Sequence, residues 1–257
     1  MDYMHKIVIL GVHYVNVSRI ETLDLMESFI GQGGRHIICT PNVDHLLQAR
    51  KDQEFHGILE QADLIVADGM GVVYASRFLG VPLKENVGGR HLLPEFSARA
   101  AQKGYRIFLL GGKNRSVVQK AVDRLHVDHP SLIIAGTYTP PFMSEFDEVE
   151  NQRMLNAVNQ SKPDVLFVCL GTPKQEKWIA SNLQHLNVPV SIGIGAALDM
   201  ISGHVYEPPR WISDMGLEWL VKLIQEPQRL WRRYILGIPV FIWLVIQQRV
   251  KSRISSI

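Results

Sequence analysis

The chain has 257 residues, of which 46% are hydrophobic and 20% are charged, and its formal net charge is +2. These values exclude a disordered protein and predict one large α/β domain with room for an appendage. The two cysteines, Cys39 and Cys169, lie inside apolar runs, so we expect reduced core residues rather than a disulfide. That usage suits a cytoplasmic protein. We expect no signal peptide, because the N-terminal residues pass directly into an apolar strand.

The positive charge is concentrated at the C-terminal end. Residues 222–257 contain seven Lys or Arg and one acid, Glu226, so this segment carries about +6 and the rest of the chain about −4. A basic tail beside an acidic body predicts an anionic partner, such as a phosphate-bearing ligand, a nucleic acid or a membrane surface. Nucleic acid is not supported, because the sequence has neither a zinc-finger spacing nor a stacked-aromatic RNA motif.

Apolar runs typical of strands alternate with helical patterns along the chain. The predicted strands cover residues 6–16, 35–42, 62–69, 105–112, 131–138, 164–171 and 188–195. The first predicted helix opens at Ser18 with a capping box to Glu21, and the others cover 43–61, 89–103, 114–127, 145–161 and 173–186. This order predicts an α/β fold: a Rossmann-like, mostly parallel sheet sandwiched by helices over residues 1–205, followed by a helical appendage over 206–257.

Five of the predicted strands end in small residues and a polar group. These ends are CTPN (39–42), ADGMG (67–71), LGGK (110–113), LGTPKQ (170–175) and GIGAALD (193–199). Because the carboxyl ends of parallel strands share one edge of the sheet, the five segments predict a phosphate- or nucleotide-sized site. The GIG and GGK fragments complete neither a dinucleotide fingerprint nor a P-loop, so a nicotinamide enzyme is poorly supported.

Asp68 is the acid best placed for catalysis. It follows an apolar strand and precedes a glycine-rich turn, so we expect a partly desolvated carboxylate with a raised pKa, suited to general-base work. The alternative is that Asp68 caps the helix that begins at Met70. For Asp199 a cap or turn is the favoured interpretation, whereas Thr40 and Asn42 allow both a cap and a site.

The segment 172–175, Thr-Pro-Lys-Gln, opens a predicted helix. Thr172 and Gln175 have the spacing of a capping box, and Pro173 stands where the start of a helix tolerates proline. The same geometry points backbone N–H groups out of the sheet edge, where an anion binds favourably. The segment therefore allows both a structural cap and a ligand-facing helix start.

Six longer segments provide a family resemblance: TPNVDHLLQA, ADLIVADGMGVVYASRFLG, FLLGGK, LGTPKQEKWI, GIGAALDMISGHV and GLEWLVKLIQEPQRLWRR. In this order and spacing they closely resemble the WecG/TagA/CpsF glycosyltransferase family, over residues 6–235. The resemblance implies an inverting transferase that needs no metal and no other cofactor. Such an enzyme moves a sugar, typically N-acetylmannosamine, from a UDP donor to a polyprenyl-diphosphate-linked sugar in cell-wall or surface polysaccharide synthesis. Because some relatives transfer glucose or N-acetylmannosaminuronic acid, these two sugars are alternatives for the donor.

The resemblance also implies roles for eight residues. Asp68 matches the proposed catalytic base, and Asp199 matches an acidic position near the nucleotide. The UDP-sugar pocket and the cations that meet the diphosphate are implied to comprise Thr40, Asn42, Gln175, Lys222, Arg229 and Arg232. An inverting transfer needs one base and positive charge at the departing diphosphate, and the sequence has no Asp-x-Asp metal motif.

Two departures from the family pattern bear on the substrate. The family usually has arginine where Lys222 stands, and lysine lacks the bidentate fork for a phosphate. His91 occupies a position where relatives commonly carry aspartate, and a neutral buried histidine is the favoured interpretation over a substrate contact. Two alternatives from other classes are a nicotinamide oxidoreductase and a nucleotide-binding membrane module that has lost catalysis.

Residues 234–246 form an apolar stretch flanked by cations and tryptophans. Thirteen residues are fewer than the roughly twenty of a spanning helix, so we predict a segment in the interface of an anionic membrane. This places the protein on the inner face of the cell membrane. A core helix, or a subunit contact in a homo-oligomer, is the alternative. The predicted core is complete by Gly195, so a chain that ends near Tyr206 is predicted to stay folded, and the tail to close over the site.

Overall fold

The computed structural model describes residues 6–205, 212, 217–225 and 227–254, apart from the side chains of residues 218, 222, 229, 232, 233 and 254. The strands are β1 Lys6–Ile9, β2 Val12–Val15, β3 His36–Cys39, β4 Leu64–Ile65, β5 Arg106–Gly111, β6 Ile133–Tyr138, β7 Val165–Cys169 and β8 Val190–Gly193. The helices up to residue 205 are α1 Arg19–Gln32, α2 Val43–Ala49, α3 Gln53–Gln61, α4 Met70–Leu79, α5 Gly89–Lys103, α6 Arg115–Asp128, α7 Glu148–Ser161, α8 Lys174–Asn182 and α9 Ala197–Ile201.

The C-terminal part is helical. It comprises α10 Glu218–Gln225, α11 Pro227–Trp231, a π-helical turn Arg232–Leu236 and α12 Gly237–Ile254. The prediction of a helical appendage is therefore confirmed for the described residues of this segment. The boundary between residues 205 and 206 stays a prediction.

Six strands form one parallel sheet in the order β4-β3-β8-β7-β5-β6. Helices α2, α3, α4, α7 and α8 cover one face, and helices α1, α5, α6 and α9 cover the other. The central strands are buried on both faces, which explains why they are continuous apolar runs instead of alternating ones. The predicted Rossmann-like sandwich is confirmed.

The first apolar run is not a strand of this sheet. Residues 6–16 fold back on themselves as an antiparallel hairpin in which Lys6 pairs with Val15 and Ile9 with Val12. Leu10 and Gly11 form the two-residue turn, and both have positive φ angles, of 49° and 91°. Such turns match the twist of a hairpin, and glycine adopts this conformation at little cost. The turn signal was hidden inside a run whose composition is otherwise that of a strand.

Side-chain caps mark the start of five described helices, α1, α2, α3, α6 and α7. The predicted capping box between Ser18 and Glu21 is present at the start of α1. The predicted helix 43–61 is instead two helices, because Asp52 caps α3 through the backbone N–H of Phe55. An internal N-cap residue ends one helix and starts the next, a signal that the apolar periodicity of the segment conceals.

Both cysteines are free and buried, as predicted. Burial, with smaller contributions from nearby carboxylates, raises the pKa of the Cys39 thiol well above its usual value and that of Cys169 to about 12. Thiols that stay protonated at neutral pH are poor nucleophiles. The two cysteines are therefore core residues.

Helix α12 completes the core on the face that α2 and α4 cover. Phe241 and Val245 belong to the same buried cluster as residues of those two helices. At its far end, Gln248 accepts a hydrogen bond from the Leu10 backbone N–H at 2.9 Å, and Arg249 donates to the Leu79 carbonyl. The core thus extends beyond Gly195, contrary to the prediction, and a chain cut near residue 206 would lack part of it.

Candidate active site

The five polar strand ends lie side by side in the sheet. They follow β4, β3, β8, β7 and β5, which are consecutive neighbours in that order. With strands about 4.8 Å apart, the edge from β4 to β5 spans about 19 Å. The convergence predicted from the sequence is confirmed, and it places Asp68 at one end of this edge and Lys113 at the other.

Asp68 lies partly exposed beyond β4, beside Asn42. The Asn42 side-chain N–H donates to Asp68 Oδ2 at 3.3 Å. Helix α4 has Gly69 as its N-cap residue and no side-chain cap, so the alternative that Asp68 caps this helix is wrong. The Gly69 N–H donates instead to Asn86 Oδ1 at 2.7 Å. The Asp68 carboxylate is therefore held at the edge of the site rather than used as a helix cap.

The start of α5 packs tightly between β4 and β8. A Cβ atom on Gly88 would lie 2.0 Å from Asp68 Oδ1, and one on Gly89 would lie 2.7 Å from the Cα atom of Ile194. Only glycine fits at these two positions. On another side, burial and then the charge of Asp68 raise the pKa of Tyr14 well above its usual value. Asp68 thus sits among glycine backbone, a buried phenol and the Asn42 amide.

Asn42 connects Asp68 to a buried histidine. Its side-chain oxygen caps α2 by accepting from the backbone N–H groups of Asp44 and His45, and it also lies 2.7 Å from His45 Nδ1. The other ring nitrogen, Nε2, lies 2.6 Å from the hydroxyl of Thr172. The ends of β3, β4 and β7 are therefore joined by one chain of hydrogen bonds.

The predicted capping box at the start of α8 is wrong. The N-cap residue is Pro173, with no side-chain cap, and the Thr172 hydroxyl turns to His45 instead. Gln175 Oε1 accepts from the Gly195 N–H at 3.1 Å, which ties α8 to the end of β8. Lys174 turns away, donating to the Met143 carbonyl. Tertiary contacts, not the local cap, decide where these side chains go.

Thr40 and Gln175 lie under the edge of the site. Gln175 is 1% exposed, and the Thr40 hydroxyl donates to the Gly193 carbonyl at 3.4 Å. In this arrangement both residues set the position of the backbone that faces the crevice. Their contact with a UDP-sugar stays a prediction.

Glu176 is a buried carboxylate that the sequence analysis missed. It is 2% exposed, accepts from the Gln175 side-chain N–H at 2.7 Å, and its Oε2 atom has no hydrogen-bond partner among the described residues. Burial raises the pKa of Glu176 to about 7, against hydrogen bonds from Gln175 and Thr172 that lower it. The i, i+4 spacing of Thr172 and Glu176 was the only sequence signal, and it is too common to identify a site.

Asp199 and Lys113 join the segments that follow β8 and β5. Asp199 lies in α9 and accepts from the Lys113 backbone N–H at 3.4 Å. The Lys113 ammonium group lies 2.8 Å from His204 Nε2. Asp199 therefore bonds to the glycine-rich loop after β5, and this loop carries a cation at its end of the edge. A place for Asp199 near the nucleotide stays a prediction.

Positive potential at the site comes first from helix termini. In the described part of the chain, α4, α5 and α8 begin at this edge without a side-chain cap, so the positive ends of their dipoles face it. One N–H group in each first turn bonds to a nearby carbonyl: that of Val72 to Gly69, of His91 to Gly88 and of Gln175 to Gly171. Arg90 adds a cation in the first turn of α5, where its Nε donates to His91 Nε2 at 3.1 Å. The sequence analysis missed Arg90, although it stands beside the His91 position that was singled out.

The three tail cations of the prediction are Lys222, Arg229 and Arg232. Their backbones belong to α10, α11 and the π-helical turn, but their side chains lie outside the described residues, so their roles stay predictions. Among the residues described, no group of three or more His, Cys, Asp or Glu side chains could hold a metal ion.

Helix α12 is apolar on two opposite faces. Phe241, Leu244 and Val245 are buried against the core, whereas the outward side chains are exposed and mostly apolar: Val240, Ile242, Trp243, Ile246 and Val250. The segment Tyr234–Arg253 has 20 residues and contains an 18-residue stretch with a mean hydropathy of 1.2, long and apolar enough to cross a membrane by length and composition. It is thus longer than the thirteen residues considered from the sequence. An exposed apolar helix face of this size indicates a lipid or protein contact.

Comparison with known proteins shows which family the chain belongs to. The model of the glycosyl transferase WecG/TagA/CpsF family matches residues 7–255. A Bacillus subtilis (strain 168) protein named N-acetylglucosaminyldiphosphoundecaprenol N-acetyl-beta-D-mannosaminyltransferase is 33% identical over 245 residues, covering 95% of this chain and 92% of that protein. Proteins of the same name from Bacillus spizizenii and Staphylococcus aureus (strain MW2) are 31% and 28% identical, over 92% and 96% of this chain and 86% and 95% of theirs. The chain therefore belongs to the WecG/TagA/CpsF family of glycosyl transferases.

Proposed function

We propose that this protein transfers N-acetylmannosamine, with inversion, from a UDP donor to a polyprenyl-diphosphate-linked N-acetylglucosamine in cell-wall or surface polysaccharide synthesis. The observation that carries the proposal is the position of Asp68, a partly exposed carboxylate held by Asn42 at a sheet edge rich in helix N-termini. The names of the relatives, which match over nearly the whole chain, supply the sugar and the acceptor.

In the proposed reaction Asp68 is the general base. It takes the proton of the acceptor hydroxyl while that oxygen forms a bond to the anomeric carbon of the donor sugar. The bond from the same carbon to the β-phosphate oxygen of UDP breaks on the opposite side, which inverts the configuration. General-base assistance of this kind contributes about 10²- to 10⁴-fold to the rate.

The departing UDP carries its negative charge on the diphosphate. Arg90, Lys113 and the uncapped starts of α4, α5 and α8 are the described groups that would stabilise this charge, and the tail cations would add to them. We therefore expect activity without a divalent metal ion. In a transfer assay, excess EDTA should leave the rate within about twofold of the untreated enzyme, since positive protein groups replace the metal. Strict dependence on Mg²⁺ or Mn²⁺ would contradict this and make Asp199 a candidate ligand.

The test of the proposal is a transfer assay with a panel of UDP-sugars and a short-chain lipid-diphosphate N-acetylglucosamine acceptor. The proposal expects UDP-N-acetylmannosamine to be the preferred donor. Preference for UDP-glucose or for UDP-N-acetylmannosaminuronic acid would keep the reaction and change the sugar. UDP should also raise the melting temperature, whereas NAD should not, which separates a transferase from an oxidoreductase. Protection by UDP without transfer to any acceptor would favour a non-catalytic nucleotide-binding module.

We further propose that the outward face of α12 lies in the interface of an anionic membrane, on the cytoplasmic side. Trp243 and Ile246 are exposed there, and Arg249, Lys251 and Arg253 follow them. Replacing both Trp243 and Ile246 by glutamate should abolish co-sedimentation with phosphatidylglycerol vesicles while the core packing of α12 stays intact.

The matched control for that experiment is Val127→Glu. Val127 is an exposed apolar residue on α6, which covers the opposite face of the sheet, so its replacement should leave vesicle binding unchanged. Undiminished vesicle binding by the double variant would contradict the membrane role of α12. Size-exclusion chromatography of the same proteins would then show whether the face pairs with a second copy.

A further inference from the structure

Two acids are buried among the described residues, Glu150 and Glu176, and the proposed reaction uses neither. Glu176 lies beneath the site, between α8 and the end of β8, and a Cβ atom on Gly193 would lie 3.0 Å from its Oε1 atom. Its Oε1 accepts from Gln175, lies 3.3 Å from the Thr172 hydroxyl and 3.8 Å from His45 Nε2. Burying a carboxyl group costs free energy unless its neighbours compensate, so a role for this acid is expected.

The hydrogen bonds of Asn42 determine the tautomer of His45. The Asn42 oxygen accepts from two backbone N–H groups, so the atom that faces His45 is the oxygen and not the nitrogen. An oxygen at 2.7 Å can only accept, and His45 Nδ1 must therefore carry a proton. A neutral His45 then has an acceptor at Nε2, and the Thr172 hydroxyl donates to it at 2.6 Å.

A second arrangement of the same atoms is equally complete. If His45 is protonated, its Nε2–H donates to the Thr172 oxygen, and the Thr172 hydroxyl donates onward to Glu176 Oε1. In the first arrangement Glu176 is protonated and its Oε1–H donates to the Thr172 oxygen. On passing to the second, Thr172 gives its hydroxyl proton to His45 Nε2 and takes the proton of Glu176, so the three residues share one proton in both arrangements. In both, His45 Nδ1 donates to Asn42, whose N–H groups stay directed at Asp68.

We propose that His45, Thr172 and Glu176 form a buried relay that shares one proton and keeps the Asn42 amide aimed at Asp68. These three are positioning residues: they hold Asn42, and Asn42 holds the carboxylate. The inference rests on the proposed function for its catalytic consequence, but the tautomer of His45 follows from the geometry alone. Glu176 supplies the proton that His45 gains and takes it back when His45 loses it. The hydrogen bond from His45 Nδ1 to Asn42 is kept throughout.

Thr172 provides the sharpest test, because valine has nearly the same shape and lacks the hydroxyl. Thr172→Val should lower kcat by about tenfold or more, since small displacements of a catalytic group cost up to about 100-fold, while KM for the donor changes little. Thr172→Ser restores the hydroxyl and should recover kcat to within about threefold. Glu150→Gln is the matched control: it removes an equally buried carboxyl group, on α7, that bonds to Tyr138 and lies outside the relay.

The second measurement is ¹⁵N NMR of the histidine rings, with His45→Gln used to assign the signal. The wild-type protein and Thr172→Val should both show His45 with Nδ1 protonated, because the Asn42 oxygen fixes that proton. Thr172→Val should instead shift the Nε2 signal, because this nitrogen loses its hydroxyl partner. A wild-type His45 protonated only at Nε2, or a Thr172→Val enzyme with unchanged kcat, would overturn the relay. If instead Thr172→Val behaves as expected but Asp68→Asn stays active, the relay stands and the proposed base is wrong.

Discussion

Asp68→Asn is expected to lower turnover at least about 100-fold while UDP binding stays nearly unchanged. Asparagine has the shape of aspartate and can still accept the Asn42 N–H, which now lies 3.3 Å from Asp68 Oδ2. It cannot take a proton from the acceptor hydroxyl at neutral pH. The loss should therefore appear in kcat, measured in the transfer assay, and not in the UDP-induced shift of the melting temperature.

Asp123→Asn is a suitable control for this experiment, because Asp123 is an exposed residue of α6 outside the site. It should behave like the wild-type enzyme in both measurements. A kcat of more than about a tenth of the wild-type value in Asp68→Asn would show that the base is another residue, since general-base assistance is worth at least about 100-fold.

Glu176→Gln is expected to change how stability depends on pH. The pKa of Glu176 is about 7 in the folded protein, against 4.5 for an ordinary glutamate, because burial disfavours the charged form. Between these pH values the folded protein binds more protons than the unfolded chain, so the free energy of unfolding falls as the pH rises from 4.5 to 7. The loss is about 3 kcal/mol and is complete above pH 7.

Glutamine cannot ionise, so the variant lacks this loss. Urea unfolding of both proteins should give the smallest difference near pH 5 and a difference of about 3 kcal/mol in favour of Glu176→Gln at pH 8. Comparing the two proteins at each pH removes the contributions of the titrating groups that do not interact with Glu176. Stability curves that run parallel from pH 5 to pH 8 would contradict the buried, protonated state of Glu176.

Local sequence signals were sufficient for the sheet and for the position of the site. Continuous apolar runs separated by helices predicted the parallel sheet, and the polar ends of those runs predicted the edge that binds the ligand. Asp68 could be found because it directly follows an apolar run and precedes glycines. Ser18 and Glu21 could be found because a capping box is made by residues close in sequence.

The parts that failed depend on contacts between distant residues. Thr172 and Gln175 have the spacing of a capping box, yet their side chains bond to His45 and Gly195, which no local pattern reveals. Glu176 looks like an exposed acid in the first turn of a helix, but α8 turns it inward against β8. Leu10 and Gly11 form a turn inside an apolar run, where leucine gives no turn signal.

The hydrogen bonds between Gln248 in α12 and the hairpin of β1 and β2 can form only after α12 has been synthesised. Gln248 donates to the Val8 carbonyl and accepts from the Leu10 N–H, so it bonds to backbone made some 240 residues earlier. Until the last helix leaves the ribosome, the first hairpin has these two backbone groups without that partner, and the apolar floor that receives Phe241 is open. Contacts so distant in sequence form late and slowly, and the uncovered surface is prone to aggregation meanwhile. Nascent chains of this protein should therefore depend on chaperones until α12 has been synthesised.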